Sequence, residues 1–230
     1  MSIETVANGV HVIPLGTVNA VVLDDDNGPV LVDTGMPKDA DKILDGLKEL
    51  GYAPDDVQKI IVTHHHPDHS GSLAELKRIT GAPATMHPTD AEAVRKGVSV
   101  RSLKRTPGLF SLIMSIVVGL TSKDIKPAEI EEEVNHGDTL ALAGGMEVLH
   151  TPGHSAGHIS LLLPRDGGIL IAGDVALNVL GLRGPAVVED LSVALNSLKR
   201  ISRLQFDTAV FMHGKAITGN ACQHFVDKWG

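Results

Sequence analysis

A mixed α/β fold, with β-sheets packed on one another and helices outside them, is predicted from three observations. Short apolar strands bounded by glycine-containing turns recur along the chain, and segments at helical spacing fall between them. Two stretches of equal length, NAVVLDDDNGPVLVDTG and HISLLLPRDGGILIAGD, each set out a strand, a glycine-containing turn and a second strand, which hints at two related halves. With 230 residues, 43% of them hydrophobic, the chain can bury a sizeable core, and a single domain over 1–230 is expected.

The N-terminal third reads as three strands, GVHVIPL, NAVVLDD and PVLVD, with a hairpin signal at Asn27-Gly28. From Met36 to Leu50 the residues Ala40, Ile43, Leu44, Leu47 and Leu50 recur at helical spacing, and Gly51 supplies a stop. Lys59 to Thr63 is a short apolar strand, Ser72 to Ile79 a helix, Ala84 to His87 a strand and Thr89 to Lys96 a helix. Between Val98 and Pro127 the pattern fails, as basic, proline-containing and apolar pieces follow one another, and this stretch reads as an insertion. Strands resume at Asp138 to Leu142, Met146 to His150, Ile159 to Leu163 and Ile169 to Ala172. A helix with Leu191, Ala194, Leu195, Leu198 and Ile201 on one face precedes a last strand, Thr208 to Met212.

Composition removes several classes of function. With 20 Lys+Arg against 28 Asp+Glu the formal charge is -8, so no long-range field draws the chain to phosphate backbones, and nucleic acid is not expected as a partner. The longest apolar stretch, Leu109 to Leu120, is too short for a bilayer span, which takes roughly 20 residues. The one cysteine, Cys222, cannot form an intramolecular disulfide, and MSIETVANGV lacks the basic flank and apolar run of a secretory signal, so a reducing, cytoplasmic compartment is expected.

Four of the 12 histidines fall within His64-His65-His66-Pro67-Asp68-His69, between a strand and a helix. In an extended loop, side chains two apart point the same way, so His64 and His66 can present two imidazoles to one metal. Pro67 biases His66 towards that extended shape; the chain then turns and aims Asp68 and His69 at a neighbouring point, while His65 alternates away. Two metals need further ligands, and His and Asp at the ends of other strands supply them. His154 lies in Thr151-Pro152-Gly153-His154, Asp174 follows ILIAG, and His213 ends TAVFM. His11, His87, His136, His150 and His224 read as surface or satisfied core residues, and His158 as a supporting donor or structural residue.

Through these residues the chain resembles the metallo-β-lactamase superfamily, whose motif is His-x-His-x-Asp-His followed by a lone His, a bridging Asp and a final His in that order. The resemblance runs from the VDTG at Val32 to Gly35 through to His213, and implies a four-layer αββα sandwich. It implies His64, His66 and His154 as ligands of one metal, Asp68, His69 and His213 as ligands of a second, and Asp174 as the bridge. Asp33 in VDTG would order the metal loop by hydrogen bonding. Five imidazoles and two carboxylates make a nitrogen-and-oxygen site that suits two zinc ions and tolerates manganese or iron.

The reading that follows is a binuclear metal-dependent hydrolase, in which a metal-bridging hydroxide attacks the carbonyl of an ester, lactone or thioester. Asp68 is the candidate catalytic group for taking or relaying a proton. The alternatives are a mononuclear iron oxidoreductase like the sulfur dioxygenases, holding its metal through His64, His154 and Asp174, and a non-catalytic metal-binding protein. Asp174 points away from β-lactams, because β-lactamases of the superfamily usually lack the bridging aspartate. Leu177 stands where lactonases of the superfamily place a tyrosine, and the 17 residues after His213 are fewer than the glutathione-gripping region of glyoxalase II enzymes. A glyoxalase II-like, small stand-alone hydrolase remains, acting on a small molecule with an apolar or acyl part. The insertion, over about 98–127 and near the active site, is the clue to that substrate. Its apolar run Leu109 to Leu120, with Ile113, Ile116 and Val117, is read as a lid over an acyl chain first, a homodimer contact second and a membrane foot last, so membrane contact is not expected.

Overall fold

The computed structural model describes residues 2–120 and 124–230, apart from the side chains of Val117 and Val118. Val117 as a lid residue, and positions 121–123 of the expected insertion, therefore lie outside the described residues.

The first sheet begins as an antiparallel meander of β1 (Glu4–Ala7), β2 (Val10–Pro14), β3 (Asn19–Leu23) and β4 (Val30–Val32). The chain then crosses through α1 (Ala40–Glu49) to β5 (Lys59–Ile61), and through α2 (Pro67–Ser70) and α3 (Leu73–Thr80) to β6 (Ala84–Met86), both strands joining parallel. After α4 (Pro88–Arg95), the short β7 (Lys104–Arg105) and α5 (Leu109–Leu120), β8 (Glu132–Glu133) pairs with β6 and completes the order β1-β2-β3-β4-β5-β6-β8.

The second sheet is built from β9 (Thr139–Leu140), β10 (Met146–His150), β11 (Ile159–Leu163) and β12 (Ile169–Ile171), all antiparallel. A small hairpin of β13 (Leu177–Asn178) and β14 (Leu182–Arg183) follows, and β15 (Val187–Val188) pairs with β7 of the insertion. The chain crosses through α6 (Leu191–Ile201) to β16 (Thr208–Val210), parallel to β12, and ends with the edge strand β17 (Ile217–Thr218) and α7 (Ala221–Trp229). Each sheet thus carries an antiparallel hairpin, β3–β4 or β11–β12, followed through a helix by a parallel strand, which is the repeat that the two equal stretches hint at.

Alternation of side chains sets the layers. Met146, Val148, Ile169, Ile171 and Val210 turn into the core shared with the first sheet, whereas Leu149, Leu170 and Ala209 face the opposite way, onto Leu198 and Ile201 of α6 and Phe225 of α7. Ile43 and Leu47 of α1, with Leu73 and Leu76 of α3, are buried with the first sheet. The layers are helix, sheet, sheet, helix, the αββα sandwich expected.

Three details differ from expectation. The first helix starts at Ala40 rather than Met36, because Lys38 sits at φ +83°, outside the helical region. Leu191 and Leu195 of α6 are 36% and 44% exposed, and the buried face is Ala194, Ser197, Leu198 and Ile201. β1, β7, α5, β8, the β13–β14 hairpin, β15, β17 and α7 were not anticipated; most are two-residue strands whose existence depends on a tertiary partner.

Tyr52, the single tyrosine, donates its phenol to Asp24 Oδ1 at 2.9 Å. Burial and then the Asp24 carboxylate push the phenol up to about 12. The fold favours the neutral form, so this contribution is whole below the ordinary value of 10.0 and is lost as pH rises through about 12. Alkaline absorbance titration should find one phenolate transition near that value, and Asp24→Asn should move it down.

A candidate metal centre at the sheet ends

His64, His65 and His66 leave the end of β5, and His66 is extended (φ -66°, ψ 154°) ahead of Pro67, the first residue of α2. Asp68 and His69 lie on that single helical turn. Asp33, directly after β4, is fully buried and held at φ +62°, a left-handed conformation that few residues other than glycine adopt. Its carboxylate accepts from Thr63 N–H (2.7 Å), Thr63 Oγ1 (2.8 Å) and His69 Nδ1 (2.7 Å), so it ties the loop to the neighbouring strand end.

The tautomers of the site histidines follow from their outer partners. His64 Nδ1 faces Thr63 Oγ1 (3.0 Å), His69 Nδ1 donates to Asp33, His154 Nδ1 to the Val187 carbonyl (2.8 Å) and His213 Nδ1 to the Thr17 carbonyl (2.7 Å). Each of these rings therefore turns its Nε2 into the site, and on His64 and His154 that nitrogen is bare. His66 is reversed and presents Nδ1: it lies 3.0 Å from His64 Nε2 and 2.9 Å from His154 Nε2, while His64 and His154 Nε2 are 3.2 Å apart.

Three nitrogen lone pairs facing one another across such a triangle cannot all be hydrogen-bonded. The ligands of one tetrahedral zinc are separated by about 3.3 Å, so the triangle has the size of a metal's face. The residues fit a cation on a second observation: His69 Nε2 and Asp174 Oδ1 are buried without a hydrogen-bond partner among the described residues.

A second cluster, Asp68, His69 and His213, adjoins the first, and ligand atoms within each cluster lie within 4.8 Å of one another. Asp174 reaches both. Its Oδ2 is 3.5 Å from His154 Nε2 and 3.3 Å from His213 Nε2, and its Oδ1 is 3.7 Å from His69 Nε2. All seven residues singled out from the sequence are thereby brought together. His158 supports the site from behind: the Asp174 amide donates to its Nε2 at 2.7 Å, which fixes the backbone that carries this carboxylate, and its Nδ1 donates to Thr151 Oγ1 at 2.8 Å.

Burial and the repulsion of neighbouring imidazoles hold His64 and His66 well below the usual histidine range, and burial lowers His154 against the pull of Asp174. In the second cluster burial is overruled. Asp68, Asp174 and Asp33 raise His69 to about 9, Asp174 and Asp68 lift His213 well above its ordinary value, and the two histidines hold both carboxylates ionised. One cluster is three neutral imidazoles; in the other, two ionised carboxylates face two histidines that they hold towards the protonated form.

Gly153, beside His154, sits at φ +126°, and a Cβ there would lie 2.2 Å from the Ala194 amide nitrogen of α6. Gly153→Ala must push the His154 loop off α6. A drop of at least about 2 kcal/mol in unfolding free energy and weaker metal retention are expected in denaturant titration and metal analysis.

Sequence reasoning missed Asp90. It is fully buried in the first turn of α4 and accepts at Oδ2 from His65 N–H (3.2 Å), His65 Nδ1 (3.1 Å) and Ser155 Oγ (2.5 Å). At Oδ1 it accepts from Gly157 N–H (3.0 Å) and from Arg101. Arg101 also donates to Glu189 (2.8 Å), whose other oxygen accepts from Ala156 N–H (2.8 Å). One carboxylate therefore clamps the loop of His64 and His66 to the loop of His154. The insertion braces the same place twice, through Arg101 and through the β7–β15 pairing that carries Val187. An aspartate at the start of a helix signals only a helix-dipole role, and partners 11 to 67 positions away leave no local trace.

A sequence profile of the metallo-beta-lactamase superfamily matches residues 13–213. An N-acyl homoserine lactonase of Bacillus thuringiensis is 28% identical over 210 residues, covering 80% of this chain and 74% of the relative. A probable metallo-hydrolase of Bacillus subtilis (strain 168) is 26% identical over 236 residues, covering 93% and 86%. Among solved structures, a metallo-beta-lactamase of Cronobacter sakazakii superposes with a TM-score of 0.72 at 22% identity, over 93% of this chain and 78% of that one. A subclass B3 metallo-beta-lactamase from a soil metagenome library gives 0.75 at 20%, over 100% and 93%. At these identities the structures speak for the fold alone. With the profile running from β2 to His213, the chain belongs to the metallo-beta-lactamase superfamily of metal-dependent hydrolases.

Proposed function

We propose that residues 1–230 form one cytoplasmic metallo-hydrolase domain that binds two divalent ions and hydrolyses an ester, lactone or thioester of a small molecule. The observation that carries this reading is the reach of Asp174 into both clusters. His64, His66 and His154 would hold one ion, and Asp68, His69 and His213 the other, with Asp174 serving both. Nitrogen and oxygen donors without sulfur favour zinc and tolerate manganese or iron. Two such ions supply Lewis acidity at a carbonyl oxygen and a water acidified towards neutrality.

The protein's own groups divide the remaining work. Asp68 keeps 30% of its side chain open to solvent while lying 3.3 Å from His213 Nε2, so it is the carboxylate placed to accept or relay a proton at Oδ2. Leu177 is buried and offers no hydrogen bond, and Tyr52 is engaged with Asp24. No tyrosine is left to assist a poor leaving group, which favours thioesters and reactive lactones; the glyoxalase II-like grouping rests on the thioester arm.

Elemental analysis should find two zinc ions per chain. Turnover is expected on a thioester and lactone panel, lost on chelation and restored by zinc, with phosphodiesters unreactive. A protein that retains no metal and turns over nothing in the panel sinks the proposal. Bound iron with oxygen consumption on a persulfide would replace it with the oxidoreductase reading.

A further inference from the structure

The apolar stripe of α5 points away from the protein. Leu109, Leu112, Ile113, Ile116 and Leu120 follow one another at the steps of one helix face. That face stands in water: Leu109 is 73% exposed, Ile116 58% and Leu120 82%. The other side attaches the helix, through Ser111 Oγ at 2.7 Å from Thr106 Oγ1 and through Phe110, which lies 4.2 Å beneath the Arg183 guanidinium. A helix set with so apolar a side outward is the reverse of what a core requires, and such a face marks a contact.

Charge decides what it contacts. Residues 98–127 contain Arg101, Lys104, Arg105, Lys123 and Lys126 against the single acid Asp124, a net +4; the whole chain is at -8, so the remainder carries -12. Lys104, Arg105 and Lys126 are exposed. A basic rim around an apolar stripe, on an otherwise acidic protein, complements the headgroups of anionic lipids. A second copy fits less well, because a two-fold contact sets the cationic segment against itself. The helix is also only about 18 Å long, and its stripe falls far short of the roughly 800 Å² that each partner of a stable dimer buries. An acyl substrate fits less well too: the groove beside α5, walled by Pro107, Phe110, Leu191, Leu195 and Trp229, includes none of the metal-site side chains.

We propose that α5 lies in the plane of an anionic lipid surface, with Leu109, Leu112, Ile113, Ile116 and Leu120 among the headgroups and Lys104, Arg105 and Lys126 on lipid phosphates. This reverses the order in which the sequence ranks the three uses of the segment. No described helix is long and apolar enough to cross a membrane, and a foot of this kind needs none. β7 joins α5 to β15, so the attached surface lies one strand pair from the carbonyl that orients His154.

Co-sedimentation of the full-length protein with phosphatidylcholine vesicles, with and without phosphatidylglycerol, tests the proposal. The anionic vesicles should bind at least about tenfold more protein than the neutral ones and release it at high salt. Ile113→Ser with Ile116→Ser, and separately Lys104→Glu with Arg105→Glu, should each cut binding about tenfold at an unchanged melting temperature. Failure to bind anionic vesicles, binding by both variants undiminished from that of the unaltered protein, or a solution dimer that the isoleucine variant dissociates would each overturn it.

Discussion

Asp174→Ala is expected to end turnover and to reduce the metal content from the proposed two ions to one or none. Asp174 is the carboxylate within 3.3 to 3.7 Å of ligand nitrogens from both clusters, so its loss removes an anionic donor from two sites at once. The imidazoles that remain around the second site include His69 and His213, both raised by carboxylates of which Asp174 is one. Loss of a partner behind a ligand typically costs about 10 to 100-fold in affinity, and loss of the shared ligand should exceed about 100-fold, or about 2.7 kcal/mol. Titration of metal-free protein against a chromogenic chelator measures this directly. His158→Ala is the informative companion, because it removes only the acceptor of the Asp174 amide and should fall within the smaller range. If Asp174→Ala still binds two ions tightly, the sharing of one carboxylate between two sites is wrong.

The outline of both sheets and all seven clustered residues were legible in the sequence, for a shared physical reason. Strands buried on both faces, such as β4, β5 and β12, leave continuous apolar runs, and a site at the ends of such strands places its polar residues within three positions after them: Asp33, His64, Asp174. The elements that escaped have no such run. β13, β14 and β15 are two-residue pairings held by tertiary neighbours, and the face of α6 was misjudged because Leu191 and Leu195 border the groove beside α5 instead of the core. The tautomer-setting carbonyls of Val187 and Thr17 were beyond reach for a different reason: a backbone acceptor carries no side-chain identity to read.

Asp90→Ala should loosen the metal site without touching a metal. The Asp90 carboxylate takes five donors from three segments: two from His65, one each from Ser155 and Gly157, and one from Arg101 of the insertion. Against the cost of burial, those donors hold it below the usual carboxylate range. The sign of the linkage follows: its contribution is complete above the ordinary value of 3.8 and is lost only as pH falls into strong acid, so the ionised clamp is whole at neutral pH. Alanine leaves the buried amides of His65 and Gly157 without this acceptor and Arg101 with only Glu189 and the Thr89 carbonyl. Breaking a buried pair typically costs about 3 to 5 kcal/mol; because Arg101 is 30% exposed, the low end is expected. For a chain of this size a loss of about 3 kcal/mol is a fall of about 6 to 12 °C in melting temperature. Metal affinity should fall about 10 to 100-fold, because His64 and His66 are no longer held in register with His154. Asp90→Asn separates the two effects. It keeps the shape and one acceptor oxygen but turns an amide donor towards either Arg101 or the His65 and Ser155 donors, so it should recover most of the melting temperature and only part of the metal affinity. Equal recovery of both would make Asp90 a structural residue with no hold on the metal centre.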